Sequence, residues 1–486
     1  MSTAAQPTEA AAGRPAPSDG GEGRSHRRRW RLWPLVVLSV LGVSALLVVL
    51  AGVRPSYDGF GFLVWGHQVL HWNLNTDGAP SWKPLPFLFT LPYALAGHAQ
   101  MWLWMGTSMA GAIASGVFAA RVAYRLTGPC PDRRYAPFLA GAFAGLGVLG
   151  IATYSHLVLI SNSDPLIVAA LLAAIDCHLA RRPRLAFTLL VLASLGRPEA
   201  WVFTGLYALW AWWRRVPGMR VLTVAGILLI PAFWFGVPAL TSHSWFISGD
   251  LALNQSTVIH GNKIIGVIER LRSLYTLPMQ IAVVCGVVLA AIRRDRVTLV
   301  IAAGAVIWEI VEVGFAYHGW SAVARYMIEA AAVLIVVAGY AVGRVLAGAP
   351  RRLPLRWTGL AAVAVLVVTL VPDARTQLNA TRYQVHKGRV SASRINRLAA
   401  VIDRYGVHRI RSCGQPISHI GLQSTLAWHL DMNVGNVGFN PGKAIGRGKP
   451  VIYFNPHLMG WRVRPYNLRK ATAAECSQLR TDTAFN

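Results

Sequence analysis

Long apolar runs separated by short arginine clusters recur along most of the chain, and this alternation limits its fold more than any other feature. A helix of about 20 apolar residues crosses the roughly 30 Å hydrocarbon layer. The first such run, Leu35 to Val53, follows directly on RSHRRRWRLWP. Lys and Arg collect in cytoplasmic loops, so this basic flank places the amino terminus inside. No small-residue cleavage site ends the run convincingly, and it reads as an uncleaved start-transfer helix. Residues 1 to about 23 are Ala, Pro, Gly, Ser and Thr with few apolar anchors, and disorder is expected up to residue 33.

The later arginine clusters set the direction of each run. Met101 to Leu126 returns inward to Arg121, Arg125, Arg133 and Arg134, and Phe138 to Ile160 goes out to the polar turn Ser161 to Pro165. Leu166 to Leu179 comes back to RRPR, Leu185 to Leu195 climbs to GRPEAW, and Val202 to Trp213 descends to WWRR. Val221 to Leu240 exits into a long polar segment, Met279 to Ile292 returns to RRDR, and Val297 to Ala316 goes out. Met327 to Leu346 comes back, and Thr358 to Val371 exits last. The expectation is a polytopic α-helical membrane protein of about eleven transmembrane helices, residues 34–371, ending outside. Leu185 to Leu195 and Val202 to Trp213 are short for a bilayer; broken polar backbone at that depth is tolerated where it lines a cavity.

Composition fits this class: 54% of the 486 residues are hydrophobic and 14% charged. The net charge of +27 would suit nucleic acid, but the arginines sit in loops between apolar runs, which points to the lipid bilayer and its anionic headgroups instead.

The segment Arg54 to Gly97 is too polar and too broken by Pro and Gly to span. Its Trp, Phe, Leu and Tyr suit amphipathic helices lying in the interface. It holds one carboxylate at the membrane exit, Asp58, and one amine before a proline-punctuated apolar helix, Lys83. A base and a cation at the bilayer surface suit chemistry on a phosphate-linked lipid. Asp164, Arg197, Glu199, Asp250 and Arg325 also fall at outer ends, whereas a pump or channel carries its charges near the midplane. Glu309 and Glu312 are the exceptions, three apart on one face of a span.

From about Asp373 the chain turns polar, and residues 372–486 read as a small extracytoplasmic α/β domain. Ser393 to Gly406 has a helical period, VHRIRSC looks strand-like, GLQSTLAWHLDM helical, and VIYFNP and GWRVRPYNL strand-like. It contains no Gly-rich phosphate loop, CxxC or HExxH. Cys413 and Cys476 lie in it, and a disulfide between them suits an oxidising compartment, with two free thiols the alternative. No cysteine has metal-ligand spacing; no cofactor is called for, and a divalent metal stays an open alternative.

The first loop with its acid, WKPLPF, SNSDP, LASLGRPEAW and ARYMIEA together resemble the GT-C membrane glycosyltransferases over roughly Leu35 to Val371. The nearest branches are the protein O-mannosyltransferases with the lipid A aminoarabinose transferases, and the actinobacterial mannosyltransferase-like membrane proteins. The resemblance implies that Asp58 is the catalytic base, that Lys83 of Lys83-Pro84-Leu85 holds a lipid phosphate, and that Arg325, before Tyr326, binds phosphate as well. Many members carry two adjacent acids in the first loop, but here Gly59 follows Asp58.

The implied reaction is transfer of a mannose- or arabinose-like sugar from a polyprenyl-phosphate donor to an envelope glycan or protein. Lys83 and Arg325 would stabilise the charge on the leaving phosphate, and Asp58 would take the acceptor's proton. A single displacement inverts the anomeric centre. Tyr326, Asp164, Arg197, Glu199 and Asp250 are further substrate-binding candidates.

Each residue also has a structural alternative. Asp58 could cap a helix, Lys83 could snorkel to headgroups, Arg325 could pair with Glu329 four residues on, Asp164 could be an N-cap, and Arg197 with Glu199 could be a structural pair. Two whole-protein rivals are a lipid-linked glycan flippase, which would show internal repeats, and a non-catalytic envelope scaffold. Asp58→Asn separates them, since only a transferase would lose turnover.

Overall fold

The computed structural model describes residues 22–78, 80–253, 256–348, 353–457 and 460–482. The expectation of disorder for residues 1–21 lies outside the described residues. Residues 22–33, expected to be disordered as well, instead begin the first helix, α1 (Glu22–Ala51). A costly helix nucleus is already formed by the apolar run, and residues added to its end need no new one.

The expected apolar runs are mainly helical, but Phe138 to Ile160 is broken at Gly150 to Thr153, where Thr153 turns left-handed. The segment after α1 forms α2 (Tyr57–Leu70) and α3 (Pro84–Ala94). Then come α4 (Ala99–Thr127), α5 (Tyr135–Leu149), a short α6 (Tyr154–Leu159), α7 (Asp164–Leu179), α8 (Pro183–Gly196) and α9 (Ala200–Trp213). The next run is broken: α10 (Arg220–Pro231) passes through a π turn, Ala232–Gly236, into α11 (Val237–Thr241). Pro238 has no N–H to give the preceding turn, and the Trp82 indole donates to the Phe233 carbonyl at 2.9 Å. Short α12 (Ile247–Ala252) and amphipathic α13 (Lys263–Arg272) precede α14 (Leu277–Ile292), α15 (Arg296–His318) and α16 (Ile328–Gly348).

Among the described residues, six helical segments are long and apolar enough to cross a bilayer, seven if α13 and α14, bent by 105°, count as one. A count of about eleven needs α5, α7, α8, α9 and α14 to cross too, and these have 14 to 16 residues. Sixteen residues of helix reach only about 24 Å.

Helix α16 is the buried axis of the bundle, packed by α4, α5, α14 and α15. Small residues permit the close approach: a Cβ on Gly339 would come 2.8 Å from the Ala140 carbonyl oxygen.

The final helix departs from expectation. Thr358 to Val371 does not end at the polar region; α17 runs unbroken from Leu353 to Tyr405, through Pro372. The expected boundary at residue 371/372 therefore falls inside a helix. Where α17 passes the end of α1, Arg389 donates to the carbonyls of Leu50 and Ala51 at 2.7 and 2.8 Å, satisfying two orphan acceptors of a helix C-terminus.

Beyond α17, VHRIRSC is not a strand but α18 (Val407–Cys413). Its buried Ile410 and Cys413 lie three apart, the spacing of one helix face. The expected helix is α19 (Gln423–His429). Strands β1 (Gln415–Ile417), β2 (Val451–Pro456), β3 (Trp461–Tyr466) and β4 (Thr481–Asp482) form a sheet in that order, β1 parallel to β2 and the rest antiparallel. Cys413 and Cys476 are joined, their Cα atoms 5.6 Å apart. The domain docks on α2 through α19: Ser424 Oγ donates to the Tyr57 carbonyl at 2.6 Å, and Phe60 meets Trp428 with ring centroids 5.5 Å apart.

Candidate active site

Asp58 sits in the first turn of α2, whose N-cap is Ser56 without a side-chain cap bond. The carboxylate does not cap the helix. Arg325 Nη1 donates to its Oδ2 at 3.2 Å, and Asn162 Nδ2 approaches the same oxygen at 3.4 Å. The turn carrying Asn162 is fixed from three sides: Trp104 Nε1 donates to Ser161 O, Ser108 Oγ to Asn162 O and Ser56 N to Ile160 O. Ser161 adopts a left-handed φ of 57°. Asn162 escaped the sequence reading because only the fold brings this turn to α2.

Gly59 explains the missing second acid. A Cβ there would lie 2.8 Å from Pro55 Cβ and 3.3 Å from the carbonyl oxygens of Ile160 and Ser161. No side chain fits without moving backbone, and a carboxylate would face acceptors.

Lys83 is the N-cap residue of α3, extended at φ −139°, ψ 118°, as the residue before a proline must be. Pro84 and Pro86 then start the helix at a defined point. The Lys83 ammonium does not reach for headgroups. Its nitrogen is buried and without a hydrogen-bond partner among the described residues. Burial pushes its pKa down; the nearby charges of Asp164, Arg197, Arg325 and Asp58 act on it as well.

Arg325 lies in a 3₁₀ turn, Ala324–Met327, leading into α16. Trp308 Nε1 donates to Tyr326 O at 2.9 Å, and Arg270 of α13 donates to the carbonyls of Ser321 and Ala322 in the preceding loop. Arg325 does not pair with Glu329. It reaches Asp58 and Tyr326 instead, its guanidinium carbon 5.2 Å from the ring centre.

Arg197 takes Glu329 for itself. Its Nε donates to Glu329 Oε1 at 3.2 Å, its Nη2 to Asp164 Oδ1, and its Nη2 also reaches the Arg325 carbonyl at 3.3 Å. Glu199 is more distant at 3.8 Å, and the Tyr326 ring lies 4.3 Å below the guanidinium. Asp164, Arg197 and Glu329 are each under 5% exposed, so the network ties α7, the α8–α9 connection and α16 together within the protein. Asp164 is thus an ion-pair partner rather than an N-cap; the N-cap of α7 is Ser163. Glu309 and Glu312 lie on α15, and among the described residues neither makes an ion pair.

Asp250 belongs elsewhere. It is exposed and accepts from Ser244 Oγ at 2.6 Å, and among the described residues no contact joins it to the cluster. His243 pairs with Asp77.

Beside the cluster a cavity of about 1360 Å³ runs between α1, α3, α4, α7 and α8. Its wall begins at Leu85, two residues from Lys83, continues through Phe89, Leu166 and Leu189, and ends at Arg121, Arg125 and Arg182. There Asp176 holds Arg121 and Arg125 at 3.0 and 2.7 Å. An apolar channel of this size accepts a long apolar chain; Asp176 neutralises the arginines at its far end, and its Leu85 end lies next to Lys83.

Two solved structures share this fold. ArnT from Cupriavidus metallidurans bound to undecaprenyl phosphate aligns with a TM-score of 0.50 at 16% identity, covering 87% of this chain and 93% of that one. The same protein in the apo state aligns with a TM-score of 0.51 at 16% identity, covering 87% and 92%. No protein-family model and no curated protein sequence matches the chain. The fold is that of the branch the sequence resembles.

Proposed function

We propose that the chain is a multi-pass cell-membrane glycosyltransferase moving a mannose- or arabinose-like sugar from a polyprenyl phosphate to a hydroxyl of an extracytoplasmic envelope acceptor. The observation that carries this reading is the meeting of Asp58, Lys83 and Arg325 beside an apolar cavity of about 1360 Å³. The undecaprenyl phosphate bound by an ArnT of the same fold supports it.

The polyprenyl tail fills the cavity between α1, α3, α4, α7 and α8, which leaves the phosphate at the level of Lys83. A buried ammonium with no hydrogen-bond partner is a poor arrangement alone and a good one beside an anion. Arg325 then stands between two anions, the donor phosphate and Asp58. Arg197, neutralised by Asp164 and Glu329, holds the Arg325 carbonyl and steadies that backbone.

The bond from the anomeric carbon to the phosphate oxygen breaks as the acceptor oxygen attacks from the opposite face. Negative charge grows on the leaving phosphate, where Lys83 and Arg325 are already in place. The acceptor's hydroxyl proton passes to Asp58, and polyprenyl phosphate leaves. One displacement inverts the centre. The amino terminus lies in the cytoplasm, and the α/β domain, outside, braces the helix that carries Asp58.

Deletion of the gene, followed by compositional analysis of the envelope glycans, tests this reading. The expected result is loss of one sugar linkage, restored by the wild-type gene and not by Asp58→Asn. An unchanged glycan profile, or full rescue by Asp58→Asn, contradicts it.

A further inference from the structure

A second cluster of ligand-type side chains lies where α2 meets the C-terminal domain. His67, His71 and Asp431 each offer one donor atom, and the three atoms fall within 4.8 Å of one another. His67 and His71 are four residues apart, so their rings emerge on one face at the end of α2, centroids 4.7 Å apart. Asp431 follows α19, and its Oδ1 stands 2.7 Å from His67 Nδ1. None of the three takes part in the Asp58 site.

What surrounds them points to a ligand. A small cavity, about 20 Å³, opens between the three residues. That is room for about one water molecule. Gln68 and Asn433 also line it. Gln68 is only 5% exposed, yet its Nε2 has no hydrogen-bond partner among the described residues, and Asn433 Oδ1 has none either. Buried amides are rarely left this way. An orphan donor and an orphan acceptor facing the space beside three ligands are what a coordinated water requires.

We propose that His67, His71 and Asp431 bind one divalent transition-metal ion of the zinc type, which fastens the C-terminal domain to α2. Two imidazoles and one carboxylate, with a water in the fourth position, suit tetrahedral Zn²⁺ and not the all-oxygen, higher coordination of Mg²⁺ or Ca²⁺. Ligand atoms at about 2.0–2.1 Å from such an ion stand roughly 3.3 Å apart. The His67–Asp431 hydrogen bond therefore opens by roughly half an ångström. His67 then presents the Nδ1 lone pair and carries its proton on Nε2. Arg411, 3.6 Å from Asp431 Oδ2 and donating to the Leu430 carbonyl, holds the other carboxylate oxygen and leaves Oδ1 for the metal.

The test uses the purified full-length protein in detergent, carrying no histidine tag, stripped with a chelator and titrated with Zn²⁺ alone by calorimetry. The expected result is one saturable equivalent. Affinity falls at least 10-fold in His71→Ala, and the equivalent disappears in His67→Ala/His71→Ala and in Asp431→Asn, while His260→Ala, at an exposed histidine outside the cluster, changes nothing. Co²⁺ in place of Zn²⁺ should give the visible absorption of a tetrahedral site in the wild type and lose it in the double variant. Hydrogen exchange at residues 423–433 should slow on adding Zn²⁺ to the wild type only. Absence of a saturable equivalent in the wild type, or its survival in the double variant, overturns the proposal.

Discussion

Arg325 Nη1 lies 3.2 Å from Asp58 Oδ2, across 267 positions of sequence. The pair joins the first turn of α2 to the 3₁₀ turn before α16, and no local feature of either segment demands it. Asp58 is 19% exposed in its side chain and Arg325 33%, so the bond is reachable from outside the protein. In the proposed reaction its meaning is chemical: one cation would be shared by a carboxylate and an incoming phosphate.

Asp58→Asn keeps the shape of the side chain and removes the proposed base. Turnover from a labelled polyprenyl-phosphate sugar should fall by about 10²- to 10⁴-fold. Donor affinity should stay within about threefold, because the proposed function gives the phosphate to Lys83 and Arg325 rather than to Asp58. Single-turnover and donor-binding measurements on the same preparation separate the two. Equal loss of both would assign Asp58 to binding instead.

Arg197→Met should behave as a structural lesion. Asp164 and Glu329 are then left as buried charges without their cation, and breaking such a pair costs about 3–5 kcal/mol. A large fall in the unfolding temperature of the detergent-solubilised protein is expected. Asp164→Asn combined with Arg197→Met should cost less than the sum of the two single changes, since both act on one network. Additive losses would mean that the two do not interact.

The contact between α19 and α2 should weaken in acid. His429 is pushed down to about 4 by burial, with His98 and Arg54 adding to the effect. In the unfolded chain it titrates near the ordinary value of about 6.5. The unfolded state therefore binds the extra proton first as pH drops. The stabilisation is fully present above about pH 6.5 and is lost as pH falls toward about 4. Hydrogen exchange in residues 423–429 between pH 7 and pH 5 reads this directly. His429→Gln should flatten the pH dependence, and an unchanged slope in that variant would place the titration elsewhere.

The sequence carried the membrane architecture and the end of the bundle where the charges gather, because apolar length and arginine placement are local properties. It also singled out Asp58, Lys83 and Arg325 and implied their roles through a family resemblance. It could not assign partners. Arg325 and Glu329 have the i, i+4 spacing of a helical ion pair, but Arg325 precedes α16 in a 3₁₀ turn and points to Asp58, leaving Glu329 to Arg197. VHRIRSC alternates like a strand, yet the burial of Ile410 and Cys413, three apart, selects a helix. The polar residues from about Asp373 suggested a break, whereas α17 continues through Pro372 and past them, and caps α1 through Arg389. Asp250 shares the acidic chemistry of the site and none of its position.

The central claim is that a lipid phosphate rests between Lys83 and Arg325 with its tail in the neighbouring channel. Photolabelling with a diazirine-bearing polyprenyl phosphate tests it most directly. The expected result is saturable labelling of the channel wall near Phe89, Leu166 and Leu189, competed by unlabelled polyprenyl phosphate, retained in Asp58→Asn and lost in Lys83→Ala/Arg325→Ala. Labelling confined to the lipid-facing surface elsewhere, or undiminished in the double variant, contradicts it.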